Sequence, residues 1–226
     1  MIRVLSTLAV KGAMQDLAAL FLSQTGVGID IDYAPTVGLL PRLHGGEHAD
    51  IGILTAQGID DMIAAGIMRP GSRVDAARSY VGVAVKAGSP KPDIRSVEAF
   101  KAAILAARAV CYSKIGASGI YFAGLIERMG IADQVNARAV VAATGFTAER
   151  LVSGEADLAI QQISELLVIP GIEVIGRLPA EIGTTAIFSA GVMTVSKQPE
   201  QATAFTRFLA SPEAAPVLRR SGLEPA

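Results

Sequence analysis

The sequence predicts an α/β protein whose sheets are mostly parallel, and three observations lead there. Short apolar or alternating runs of strand length recur along the chain, and most are followed by a stretch with helical periodicity. Hydrophobic residues make up 51% of the 226 and charged residues 18%, which excludes disorder and provides for a large core in one domain or two small ones. No apolar run approaches the ~18 residues a membrane span needs, so the chain reads as soluble with no membrane insertion.

Taken in order, IRVLS (2–6) is a short apolar strand, and the helix after it places Met14, Leu17, Ala18 and Phe21 on one stripe. GIDIDYA (28–34) alternates Ile29, Ile31 and Tyr33 as a half-exposed strand does. A helix from Val37 to Leu43 contains Pro41, which should bend or shorten it. ADIGILTA (49–56) is a strand and 59–68 a helix; VGVAVKAG (81–88) is a strand and 96–107 a helix with Ser96 as N-cap. ARAVCY then leads through YSKIGASG to a helix with Phe122, Leu125, Ile126 and Met129 on one face. Shorter units follow: ARAVVAA, the helix TAERLVSG, the strands ADLAIQQ and IEVIG, the strand 186–196, and two closing helices, PEQATAFTRFLA and SPEAAPVLRRSG.

Composition narrows the function. Twenty basic residues balance 21 acidic ones along the chain, so the basic footprint of a nucleic-acid binder is absent. The one cysteine, Cys111, cannot form an internal disulfide or a CxxC site and reads as a small buried hydrophobe. There is no P-loop and no GxGxxG opening a helix, so no cofactor is indicated. HGGEH (44–48) gathers both histidines and Glu47, but its glycines oppose a helical ligand pair and it precedes a strand, so no metal site is assigned. Met1 is followed at once by a strand, without an apolar leader. A native start there implies the cytoplasm; a trimmed mature form implies the periplasm.

In open α/β sheets ligands gather at the C-terminal ends of the strands. The loops there are STLAVKG (6–12), APTVG (34–38), TAQG (55–58), YSKIGASG (112–119), AATGF (142–146) and QQISE (161–165). They are rich in Ser, Thr, Gly, Ala and Gln, and the first five carry no Asp or Glu. Such loops leading into helix N-termini suit an anion, because free N–H groups and the positive end of the helix dipole face it. Ser113 or Ser118 can also serve as a helix N-cap, which is compatible with binding. The pair Gln161–Gln162 reads either as a hydrogen-bonded hinge or as donors to a ligand.

The stretches IRVLSTLAVKGAMQDLAALF, YAPTVGLLPRLHGGEHADIGILTA, KIGASGIYFAGLIERMGI and FLASPEAAPVLRRSGLEP together resemble the type II periplasmic binding proteins, nearest the molybdate-binding group. The resemblance spans essentially the whole chain. It implies two α/β lobes, 1–80 plus 191–226 and 81–190, with hinges near Ser79–Val83 and Phe188–Gly191 and a ligand held between the lobes. Carried over by position, the family's contacts fall at Ala9, where the family has serine, with Ser6 and Thr7 beside it. The others fall near Thr36 and Val37, at Ser118 beside Gly119, at Gly145 or Phe146, and at Gln162, where the family has tyrosine. Lys11, Lys114, Tyr33, Tyr112, Ser113 and Gln161 add donors or charge. Two changed positions and the lysines favour a carboxylate over molybdate.

Two functions follow from the resemblance. The first is a monomeric substrate-binding protein that delivers a small anion to an ABC transporter membrane component. The second is an isomerase of a small polycarboxylate on the same scaffold, like the bacterial aconitate isomerases. In that case Lys114, Tyr112, Lys11 and Tyr33 are the candidate acids and bases. A ligand-sensing domain of a transcription regulator is a third class, but no helix-turn-helix is present.

Overall fold

Ile2, Val4 and Leu5 are fully buried, as a strand covered on both faces requires, and they form β1 (Ile2–Ser6). In the computed structural model, which describes residues 1–226, the chain divides into two units. Unit one is Met1–Ser79 with Ala186–Ala226, and unit two is Tyr80–Thr185. The second boundary therefore falls ahead of the expected Phe188–Gly191. The chain has no helix long and apolar enough to cross a membrane.

In unit one, a 3-10 turn (Leu8–Val10) leads from β1 into α1 (Lys11–Thr25). There follow β2 (Ile29–Tyr33), α2 (Thr36–His44), β3 (Ile51–Thr55), α3 (Ala56–Ala64) and the start of β4 (Val74–Lys86). β1 lies between β2 and β3, parallel to both, with Ile2 opposite Ile29 and Val4 opposite Ile51. Unit two contains the rest of β4, then α4 (Val97–Ala106), β5 (Val110–Ser113), α5 (Ala117–Arg128), α6 (Ala132–Asn136) and β6 (Val140–Ala142). It continues with α7 (Glu149–Val152), β7 (Leu158–Gln162), α8 (Ile163–Leu166) and β8 (Ile172–Arg177). β5 sits between β6 and β7, parallel to both. The chain closes with β9 (Thr185–Val192), α9 (Pro199–Leu209), α10 (Ala215–Arg220) and β10 (Glu224–Pro225).

Each unit thus has a parallel core, and strands added at its side run antiparallel. β9 pairs antiparallel with β3, β10 with β4, and both β7 and β8 with β4. Helices cover both faces. In unit one, Met14, Leu17 and Phe21 of α1 meet Phe205 and Phe208 of α9 on one side. On the other side, Leu39 and Leu43 of α2 meet Ile59 and Met62 of α3. In unit two, Phe100, Tyr112 and Phe122 share one core, and Cys111 belongs to a second with Leu151 and Leu166.

Several expected boundaries move for local reasons. α2 runs through Pro41 to His44 without being shortened; the carbonyl deprived of a donor belongs to Val37, which is exposed enough for water to serve it. α3 begins at Ala56 and ends before Gly66, whose φ of 71° closes the helix. β4 starts at Val74, well before Val81, and β9 ends at Val192 rather than 196. Glu47 of the HGGEH segment accepts two hydrogen bonds of 2.7 Å from Arg42 and one of 3.3 Å from Arg3.

Candidate functional site

The C-terminal edge of the parallel core of unit two brings three of the expected loops together. β5 ends at Ser113, whose Oγ accepts the Gly116 N–H at 2.9 Å, while the Lys114 N–H bonds the Ala142 carbonyl at 2.8 Å. This tight turn sets the start of α5 directly against β5. Gly119 permits it: a Cβ there would lie 1.8 Å from the Ser113 carbonyl oxygen. The N-cap of α5 is Gly116, in extended backbone, with no side-chain cap and no acid in the first turn. Ser118 is therefore not the N-cap; it lies within the first turn, 1% exposed, and its Oγ has no hydrogen-bond partner. Ser113 has taken the turn-capping role instead.

The other two loops meet through Gln161. Its Oε1 accepts both the Thr147 N–H and the Thr147 hydroxyl at 2.8 Å, and its Nε2 lies 3.5 Å from the Gly145 carbonyl. Gly145 has a φ of 79°, the left-handed turn that lets the chain bend between β6 and the buried residues Phe146 and Thr147. Of the two readings of Gln161, the geometry favours the structural one. Gln162 is different: it is 2% exposed and its Oε1 has no partner. Glu165, on α8, is buried too, and burial pushes its carboxyl up to about 7 despite hydrogen bonds from the Gln162 backbone and the Gln161 side chain.

Tyr112 is a correction. Its ring packs edge-on to Phe122 within the core, and its hydroxyl donates to Asn136 Oδ1 at 2.8 Å. Successive side chains of β5 face opposite sides, and Tyr112 takes the side covered by α4, α5 and α6, where it is no donor for a ligand at the strand end. Burial also raises its phenol above the usual range. Lys114 is exposed.

The corresponding edge of unit one carries the same chemistry. Ser6 is fully buried and its Oγ donates to the Thr7 carbonyl at 3.1 Å; the Thr7 Oγ1 accepts from the Ala9 N–H at 3.5 Å, capping the 3-10 turn. α1, α2 and α3 all start without an acid in the first turn. Thr36 and Val37 open α2, which has no side-chain cap, and the Thr36 Oγ1 accepts the Thr55 N–H at 3.3 Å. Lys11 Nζ stands 5.5 Å from the centroid of the Tyr33 ring, within cation–π range. Burial raises the Tyr33 phenol to about 12, which keeps it protonated at neutral pH.

Four residues not singled out in the sequence support these edges or the core behind them. Thr55 caps α3 through a 3.3 Å bond to the Gly58 N–H, Thr147 anchors the loop after β6, Asn136 holds Tyr112 in the core, and Glu165 accepts a hydrogen bond from the Gln161 side chain. Two of them carry legible signals. Thr55 is the last strand residue before a helix, and Gln162-x-x-Glu165 has capping-box spacing.

Comparison with known proteins matches this architecture. Residues 2–224 match the family described as bacterial extracellular solute-binding protein. The chain is 35% identical to an aconitate isomerase of a Pseudomonas species, over 98% of this chain and 87% of that one. The periplasmic molybdate-binding protein of Azotobacter vinelandii superposes with a TM-score of 0.83 at 20% identity, covering 99% of this chain and 98% of that one. The sulfate-binding protein of Mycobacterium tuberculosis H37Rv gives 0.79 at 16% identity, covering 100% and 86%. At such identities the two structures speak for the fold, the type II periplasmic-binding-protein fold. With the family match running almost from end to end, this chain belongs to the bacterial extracellular solute-binding proteins.

Proposed function

We propose that the protein binds a small anion, a carboxylate in preference to molybdate, as the monomeric substrate-binding component of an ABC-type transport system in the periplasm. The observation that carries this reading is Ser118. A buried hydroxyl without a partner costs on the order of 1–3 kcal/mol, and this one sits in the uncapped, acid-free first turn of a twelve-residue helix. A bound anion would satisfy the hydroxyl and the neighbouring N–H groups together. The uncapped start of α2 with Thr36, and Lys11 beside Tyr33, offer matching donors in unit one. One ligand shared by the two edges, as the family resemblance implies, would draw on both sets of donors.

Ser118→Ala tests it, because the two roles of the hydroxyl predict opposite effects. Without ligand the variant should be as stable as the parent or slightly more so, since an unsatisfied polar atom has gone. Affinity for the best ligand in a thermal-shift screen of carboxylates, molybdate, tungstate and sulfate should fall about ten-fold, the equivalent of one lost hydrogen bond to a charged group. Loss of stability with unchanged affinity would remove Ser118 from the site. Stabilisation by molybdate alone would reject the carboxylate preference.

A second reading has its own observation, the 35% identity to an aconitate isomerase across nearly the whole chain. In this reading the same residues hold a small polycarboxylate while a proton moves between two of its carbons. NMR of cis- and trans-aconitate with the protein decides between the two: interconversion supports the isomerase, and binding without turnover supports the transport role.

A further inference from the structure

Glu165 is the single buried acid of unit two, 7% exposed, and neither reading above uses it. It is the third residue of α8, whose N-cap is Gln162, and it reaches back to the Gln162 N–H as the acid of a capping box does. Its other partner is the Gln161 side chain. That amide can give a hydrogen bond only through nitrogen, so bonding Glu165 turns its oxygen toward Thr147, where it accepts two bonds of 2.8 Å. The carboxyl thus joins the Thr147 N–H and the Gly145 carbonyl in fixing how the amide faces, and the amide ties down the loop that holds Gly145 and Phe146.

Resting on the anion-binding reading, we propose that Glu165 is a positioning residue for the anion: it orients Gln161, and through it the 145–147 loop, and it takes up a proton when the anion binds. A second negative charge brought to the loops that Glu165 supports through Gln161, in a poorly solvated setting, disfavours the ionised carboxyl. The surrounding charges leave this coupling intact. β7 carries no titratable side chain; β8 carries Glu173, paired with Lys91, and Arg177; β4 carries Asp75, Arg78, Tyr80 and Lys86; and Glu149 and Arg150 follow the 145–147 loop. None of them contributes to the Glu165 shift, which arises from burial opposed by the two hydrogen bonds.

Burial pushes the carboxyl of the ligand-free protein up to about 7. If binding raises it by one unit, affinity falls about five-fold between pH 6 and pH 8. The test is isothermal titration of the whole protein and of Glu165→Gln with molybdate, sulfate and trans-aconitate, in buffers of different ionisation enthalpy near pH 7.5. The difference between buffers counts protons. The parent should take up a substantial fraction of one proton per anion, and Glu165→Gln should bind with less uptake and a flatter pH profile. The tricarboxylate's own protons cancel in the comparison. Equal proton counts in parent and variant, or no uptake by the parent with sulfate or molybdate, would overturn the role of Glu165 alone. If none of the three anions binds the parent, the anion-binding reading falls and this one with it. Should the variant not fold, the parent's own count with the two inorganic anions decides.

Discussion

Gly119 offers a severe test of how α5 is seated, because the clash it avoids is with backbone. A Cβ at this position would lie 1.8 Å from the Ser113 carbonyl oxygen, 2.6 Å from its carbon and 2.9 Å from its nitrogen. Opening the first of these to the 3.0 Å that real contacts respect requires the start of α5 to move away from β5. No flexible side chain can give way. Ordinary overpacking costs about 1–3 kcal/mol where side chains can adjust; with only backbone to yield, Gly119→Ala should cost about 3 kcal/mol or more. For a protein of this size that lowers Tm by roughly 6–12 °C. Ligand affinity should fall as well, because Ser118 and the N–H groups of its turn move with the helix.

The same substitution five residues later makes the control. A Cβ on Gly124 would meet only the Arg128 guanidinium, at 3.3 Å, the far end of a side chain that can swing aside. Gly124→Ala should gain about 0.5–1 kcal/mol from helix propensity and raise Tm by roughly 1–4 °C. Both are read by calorimetry or circular dichroism melting without ligand. A Gly119→Ala variant that melts within roughly 2 °C of the parent would show that α5 does not sit against Ser113 as described.

Two further outcomes concern the supports of the fold. Asp50, 2% exposed, accepts the Ser196 hydroxyl at 2.6 Å and the Arg3 N–H at 3.0 Å, so it ties the start of β3 to β1 and to the turn after β9. Asp50→Ala strands both donors and should cost about 2–4 kcal/mol in urea denaturation, whereas Asp50→Asn, which keeps an acceptor, should cost less; equal stability of Asp50→Ala and the parent would refute the role. Cys111 is fully buried, and burial raises its thiol to about 12, so almost no thiolate forms at neutral pH. It should resist iodoacetamide in the native protein and react promptly in urea; fast native labelling would contradict its placement.

The fold was legible because its elements are long or strongly apolar. Ile29, Ile31 and Tyr33 alternate as expected, and Ser96 caps α4 by accepting the Ala99 N–H at 3.1 Å. What escaped was short or chemically mixed. α6 and α8 have five and four residues, too few for a helical period to register. The first half of β4, VDAARSY, mixes Asp, Arg and Ser with alanine because Asp75 accepts from Arg73 and Ser189 there, at 2.8 and 2.7 Å. Tyr112 was misread for a related reason. Every residue of VCYS is buried, so alternation could not tell which face the ring takes, and only the fold shows Phe122 and Asn136 waiting on one side.

The two glutamines at the end of β7 show why identical neighbours need not share a role. Strand geometry sends consecutive side chains to opposite faces, so one amide can be spent on structure while the other is kept from it. Gln161 is spent: Thr147 and Glu165 engage both ends of its amide, and replacing it would strand a buried N–H and a hydroxyl. Gln162 has a buried oxygen without a partner, an arrangement folding alone disfavours by about 1–3 kcal/mol. The same contrast separates Ser113, whose hydroxyl holds the turn, from Ser118, whose hydroxyl holds nothing in the protein. In each loop one polar residue secures the backbone and its near neighbour is left unsatisfied. Stability explains the first member of each pair; the second makes sense for a protein whose polar complement is completed by a ligand.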